Sequence, residues 1–141
     1  MHTPQYKELQ KAAEFLRNSL GNAKSELDYS TYSIKSLDFI LSEGFRDGKV
    51  RNPTGTFAKH QGMIMLGIAG YLTDVILKNT TNTKVEIDPS DEKWYLNFKL
   101  VAANGLSIQP AQQIIKRSQL GRAAELYAYS ISTIKEFNQS K

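Results

Sequence analysis

Gly62-Met63-Ile64-Met65-Leu66-Gly67-Ile68-Ala69-Gly70-Tyr71-Leu72-Thr73-Asp74-Val75-Ile76-Leu77 carries apolar residues on nearly every side of a helical wheel. A helix that is hydrophobic all round must be enclosed by protein, so a helix running from Phe57 to Leu77 is expected at the centre of the fold. Thr73 and Asp74 interrupt the run, which is also shorter than the ~20 apolar residues that cross a bilayer. No membrane association is expected. Gly62, Gly67 and Gly70 each cost about 1 kcal/mol of helix propensity relative to alanine. That cost is explained if a neighbouring element packs unusually close, or if the helix is distorted at Gly67.

Upstream, Thr3-Pro4 reads as an N-cap followed by proline at the first helical position. Tyr6, Leu9, Ala13, Leu16 and Leu20 then recur at helical spacing as far as Gly21. A second helix is expected after Leu27-Asp28-Tyr29-Ser30, with Ser30 as its cap and Ile34, Leu37, Leu41 and Phe45 as its apolar stripe. Gly44 and Gly48 bracket its end. Residues 46 to 60 follow neither hydrophobic period and contain two glycines and a proline, which predicts a loop. So long a connection inside one domain points to a functional surface.

Downstream of Asn79-Thr80-Thr81-Asn82 the hydrophobic period falls to two. Lys84 to Asp88 reads as a strand and Pro89 to Glu92 as a turn. Trp94, Leu96, Phe98 and Leu100 alternate with Tyr95, Asn97 and Lys99 as a second strand. Asn104-Gly105 is a two-residue hairpin signal leading to a third strand, Leu106 to Ile108. Pro110 then opens a short helix through Arg117. Ser118 is the expected cap of a last helix with the stripe Leu120, Ala124, Tyr127, Ile131 and Ile134. Helices first, strands next and helices last predict an α+β fold, with a three-stranded antiparallel meander and one domain spanning residues 1–141.

Composition narrows the function classes. Of the 141 residues, 18 are basic and 14 acidic, giving a net charge of +4. They divide evenly about residue 60, so no charged tail marks a dedicated nucleic-acid binder. There are no cysteines, which removes disulfides, thiol catalysis and cysteine-based metal sites. The first eight residues contain no apolar core of a secretory leader, and a cytoplasmic setting is expected.

The chain also lacks recognisable catalytic constellations. His2 and His60 are its only histidines, too few for a histidine-rich metal site, and no metal or other cofactor is expected. Glu86, Asp88, Asp91 and Glu92 match no calcium-loop spacing. Gly62 to Gly67 has the glycine spacing of a phosphate loop, but Ile68-Ala69 stands where lysine and a hydroxyl residue are needed. No serine sits in a Gly-x-Ser-x-Gly elbow. Asp74, alone on an apolar helix, is the best candidate for a perturbed carboxylate. A hydrolase built on Asp74 and His60 requires that the two share a pocket. For RNA, Lys93, Trp94, Tyr95, Phe98 and Lys99 offer aromatics beside cations, but the alternation sends Trp94 and Phe98 into the core.

Leu27-Asp28-Tyr29-Ser30, Ser33 to Asp38, Gly70-Tyr71-Leu72-Thr73-Asp74-Val75-Ile76, Trp94 and Lys116-Arg117 together resemble a family of small bacterial proteins of unknown function. That family has a Leu-Asp-x-Ser helix start and an Ala-Tyr-x-Gly-Glu-Val-type central helix. This chain departs from it with Thr73 and Asp74 in place of Gly-Glu. The resemblance implies the same α+β arrangement and brings no activity. By analogy with small cysteine-free immunity proteins it implies specific protein binding.

The expected function is therefore a non-enzymatic protein-binding module, an adaptor or immunity-type protein with an unidentified protein partner, acting as a monomer or small homo-oligomer. The alternative is binding of an anion or nucleic acid, the latter less favoured, through Arg46, Lys49, Arg51 and Lys59 of the basic loop with Lys116, Arg117 and Arg122.

Overall fold

The structure is a computed structural model that describes residues 3–19, 27–46, 49–52 and 59–139, apart from the side chains of residues 122 and 123. Helix α1 spans Pro4–Ser19 and starts as its sequence predicts, with Thr3 Oγ1 accepting the Tyr6 amide at 3.1 Å. Leu20 and Gly21, expected at its end, lie outside the described residues. Before helix α2, Ile34–Gly44, the Ser30 hydroxyl accepts the Ser33 amide at 3.2 Å, and Asp28 Oδ1 in turn accepts the Ser30 amide and hydroxyl at 3.0 and 2.6 Å. The turn thus satisfies donors that an uncapped helix start would leave open.

Phe45 leaves the helix and enters a small hairpin, β1 (Phe45–Arg46) against β2 (Lys49–Val50). The predicted loop therefore begins as paired strand, with Phe45 buried and Val50 packed against the core. Residues 53–58, including Phe57 at the expected helix start, lie outside the described residues.

Helix α3, Gln61–Lys78, is the central element. Ile64, Ile68, Leu72, Val75 and Ile76 are all but inaccessible, and burying each stabilises the fold by about 1.5–3 kcal/mol. Helix α1 lies antiparallel on it. A Cβ on Gly67 would meet the Ala12 carbonyl oxygen at 2.5 Å, and one on Gly70 would collide with the Leu9 carbonyl oxygen. The glycines exist because the two backbones nearly touch. Gly62 has nothing within 4 Å and plays no such part.

Strands β3 (Lys84–Glu86), β4 (Lys99–Val101) and β5 (Ser107–Ile108) form the expected antiparallel meander in that order. Val85, Leu100 and Ile108 are directly opposite one another and make its apolar face; Lys84, Glu86, Lys99 and Ser107 are exposed. Two details differ from expectation. Trp94–Asn97 is a helical turn, α4, with strand resuming only at Lys99. Asp91 anchors it, Oδ1 accepting the Lys93 amide and Oδ2 the Asn97 side-chain amide, each at 2.9 Å. A Trp94/Phe98 pair four residues apart fits one helical face as well as one strand face, so the alternation was ambiguous.

The hairpin at Asn104-Gly105 also closes through three residues rather than two. The Ala102 amide donates to the Leu106 carbonyl at 2.8 Å, and of the pair only Gly105 has positive φ, 93°. The Asn104 side chain serves both the turn and the C-terminal segment, its Oδ1 accepting the Leu106 amide at 3.0 Å and its Nδ2 donating to the Glu136 and Gln139 carbonyls at 2.8 and 3.1 Å.

Helix α5 runs Pro110–Leu120 and stops at Gly121, φ 62°. A 3-10 turn, Gly121–Ala124, leads to helix α6, Leu126–Phe137. Ser118 is not the cap of the last helix. It lies inside α5, its hydroxyl bonded to the Ile115 carbonyl at 2.7 Å. The expected stripe of α6 holds in part: Ala124 is buried and Tyr127 and Ile134 pack against the core, but Leu126, Ser130, Thr133 and Phe137 also face inward and Leu120 and Ile131 are exposed.

Candidate functional site

The cap of α6 comes from α2. Asp38 Oδ1 accepts the Leu126 amide at 2.8 Å and Oδ2 the Tyr127 amide at 2.9 Å, so a carboxylate occupies the positive end of the helix. Arg117 completes the arrangement. Its Nε donates to Asp38 Oδ1 at 2.8 Å, and one terminal nitrogen donates to the Asp38 carbonyl and the Ser42 hydroxyl at 3.0 and 2.7 Å. The Arg117 side chain is only 4% exposed. Arg117 is therefore a buried strut joining α2, α5 and α6, and it is withdrawn from the predicted anion-binding set.

The other predicted cations separate into groups. Arg46 and Lys49 are directly opposite on the hairpin, both exposed. Like charges facing each other across a strand pair oppose pairing. Arg51, at the exit of β2, donates through Nη1 to the Ser42 carbonyl at 3.0 Å and lies 3.6 Å from Glu43. Lys59 is exposed just before α3, and Lys116 is exposed on α5, the helix that packs on β1. The side chain of Arg122 lies outside the described atoms.

Asp74 and His60 do not meet. They are fourteen residues apart along α3, about 21 Å at 1.5 Å per residue. His60 is exposed with its ring against Phe15, centroids 5.7 Å apart. Asp74 instead bonds to the Tyr6 hydroxyl of α1. Burial pushes its carboxyl above the ordinary value, while Lys78 and that bond pull the other way. This geometry removes the proposed pairing of the two residues. Among the described residues no three His, Asp or Glu side chains converge as a metal site would require. No described helix is long and apolar enough to cross a membrane.

Depressions mark the surface among the described residues. A cleft of about 640 Å³ lies between Lys78–Thr81, Ala103-Asn104 and Phe137–Gln139. The C-termini of α3 and α6 both open into it, and the amides of Asn79, Asn104 and Asn138 are spent on the carbonyls of Val75, Glu136, Gln139 and Asn79. It is chiefly a capping structure. A hollow of about 400 Å³ lies over Thr3, Tyr6, Lys84, Val85 and Ile87. A smaller apolar crevice of about 140 Å³ is lined by Met65, Leu66, Tyr95, Leu96 and Ile115 among others.

Among the described residues the most exposed large apolar side chains are Tyr32, in the turn before α2, and Phe39 on it, 68% and 65% exposed. Phe39 falls outside the stripe of Ile34, Leu37 and Leu41, so the helical wheel alone marks it as outward-facing. Beside them the Lys35 ammonium lies 4.9 Å from the Tyr32 ring centroid and 4.7 Å from that of Tyr127 on α6. No described carboxylate is within ion-pair distance of Lys35.

The chain matches no family model, and no curated protein or solved structure is detectably similar to it. Residues of the short motifs at 27–30 and 70–76 do architectural work. Leu27 is buried, Asp28 and Ser30 build the turn before α2, and Tyr71 bonds to that turn.

Proposed function

We propose that the chain is a non-enzymatic protein-interaction module of the adaptor or immunity type, and that its partner docks on the α2/α6 face. The observation that carries this reading is the exposure of Tyr32 and Phe39 beside Lys35 and Tyr127. Aromatic side chains dominate the energetics of protein interfaces. An unpaired ammonium between two rings adds charge selectivity, so the matching partner surface is apolar around a carboxylate. The rigid helix pair beneath, pinned by Asp38 and Arg117, presents that face with little ordering cost on binding.

Phe39→Asp and Tyr32→Ser test it. The expected result is that the parent chain forms a stoichiometric complex with one protein from its native host, with cross-links at residues 32–39 and 127–131. Each variant, unchanged in circular dichroism, should weaken that complex at least about tenfold. A double variant that binds as tightly as the parent refutes the reading. So does a homodimer sealed by the same face, which would make a second copy the occupant.

A second reading, an anion binder on the β1/β2 hairpin, is favoured by the opposed Arg46 and Lys49. Its mark is affinity for polyphosphate or nucleic acid that falls steeply with salt and falls again in Arg46→Gln. Salt-independent or absent binding ends it.

A further inference from the structure

A second pair of cations converges on the ring of Tyr29, away from the predicted basic set. Arg17 of α1 places its guanidinium carbon 4.8 Å from the ring centroid, and Lys78, at the end of α3, places its ammonium 4.4 Å from it. Tyr71 already covers one face of that ring, stacked at 4.9 Å and 19°. Both cations are therefore crowded onto what remains.

Arg17 spends Nε on the Leu27 carbonyl at 3.1 Å and Nη1 on a long 3.4 Å contact to the Tyr29 hydroxyl, which leaves its second terminal nitrogen without a hydrogen bond among the described residues. No described carboxylate lies within ion-pair distance of Arg17 or Lys78. Asp28, the acid next to Tyr29 in sequence, has its carboxylate turned into its own turn, where the Ser30 hydroxyl and amide hold its pKa below the ordinary value. Asp74, one turn before Lys78, acts on it only at longer range.

The platform itself is fixed in advance. Tyr29 adopts φ 66°, a region that side-chain-bearing residues rarely occupy. It is held there because its amide donates to the Tyr71 hydroxyl at 2.7 Å. That hydroxyl donates to Ser33 Oγ at 2.6 Å, since the Ser33 proton is committed to the Ser30 carbonyl at 2.5 Å. Neither cation has to bring the ring into position.

We infer that Arg17, Lys78 and the Tyr29 hydroxyl form a binding subsite for a phosphate dianion, either inorganic phosphate or the phosphoryl end of a phosphomonoester. Two unit charges meet two, and the tetrahedral oxygens can take a guanidinium edge, an ammonium and a phenol from different directions. Acetate, with one charge in one plane, fits poorly.

The test is an amide-resolved nuclear magnetic resonance titration of the full chain with inorganic phosphate, phenyl phosphate and acetate at constant ionic strength. Saturable shifts confined to Arg17, residues 27–30 and Lys78 are expected for both phosphates, and acetate should bind far more weakly. Equal affinity for the two phosphates assigns the site to the free ion, and tighter binding of phenyl phosphate assigns it to an ester. Lys78→Gln, which touches no backbone contact, should weaken phosphate about tenfold, as should Arg17→Lys, while Lys99→Gln on the sheet should not. The inference is overturned by shifts that fail to saturate, by shifts spread equally over Arg46, Lys49 and Lys99, or by Lys78→Gln binding as the parent does.

Discussion

Replacing Asp38 by alanine removes two kinds of interaction at once, the pair with Arg117 and the cap of α6, and their sizes can be set separately. The pair with Arg117 is buried, with the two side chains 4% and 11% exposed. An exposed pair would be worth at most about 1 kcal/mol. Removing one partner of a buried pair leaves the other charge uncompensated, at a cost of about 3–5 kcal/mol. Loss of the α6 cap adds about 1 kcal/mol.

The sum is a large part of the about 5–15 kcal/mol by which a domain is stable. With an m-value of about 2 kcal/mol per molar, a loss of about 4 kcal/mol lowers the urea midpoint by about 2 M. Urea unfolding followed by circular dichroism and Trp94 fluorescence measures it. Adding Arg117→Met removes the stranded charge, so the double variant should be more stable than the two single losses predict, by about 1–3 kcal/mol. A loss below about 1 kcal/mol for Asp38→Ala, or single losses that simply add, would refute this account of the strut.

Two further outcomes follow from α3. Gly70→Ala forces a methyl against the Leu9 carbonyl and should cost about 1–3 kcal/mol, whereas Gly62→Ala, with nothing within 4 Å, should be neutral or stabilising by up to about 1 kcal/mol. Thermal midpoints in the reverse order would contradict the close approach of α1. For Asp74, whose carboxyl is raised chiefly by burial above its ordinary 3.8, the native chain holds the proton more tightly than the unfolded one. Its effect on stability therefore becomes more favourable as pH falls through the folded value and levels off below the unfolded value. Asp74→Asn should melt higher than the parent at neutral pH and gain less on acidification. A variant that melts lower at neutral pH overturns this.

The central helix, the close contact at Gly67 and Gly70, the Thr3 start and the order of strands were all legible because each depends on local pattern or on a cost that needs a reason. Trp94–Asn97 departs from the expected strand because residues four apart share a face in either conformation, and the side chain of Asp91 tips the balance towards the helical turn. Leu120 and Ile131 fall outside the core because α5 continues through Ser118 to Leu120 and the last helix begins only at Leu126, while Ala124, Tyr127 and Ile134 of the same expected stripe do meet it. The buried Arg117 could not be told from Lys116 beside it, since the group that distinguishes them, Asp38, lies 79 residues away. The Tyr29 platform depends on side chains from α1, the 27–33 turn and α3, a juxtaposition that no short motif encodes.

The borrowed cap on α6 also bears on the sequence of events during folding. A twelve-residue helix is marginal by itself in water, and this one receives its terminal carboxylate across 88 residues of chain. Closing so long a loop is entropically costly until the segments between have condensed. The C-terminal segment should therefore be the last to consolidate, and a ribosome-bound chain lacking its final residues would hold Asp38 and Arg117 ready, with nothing yet to clasp.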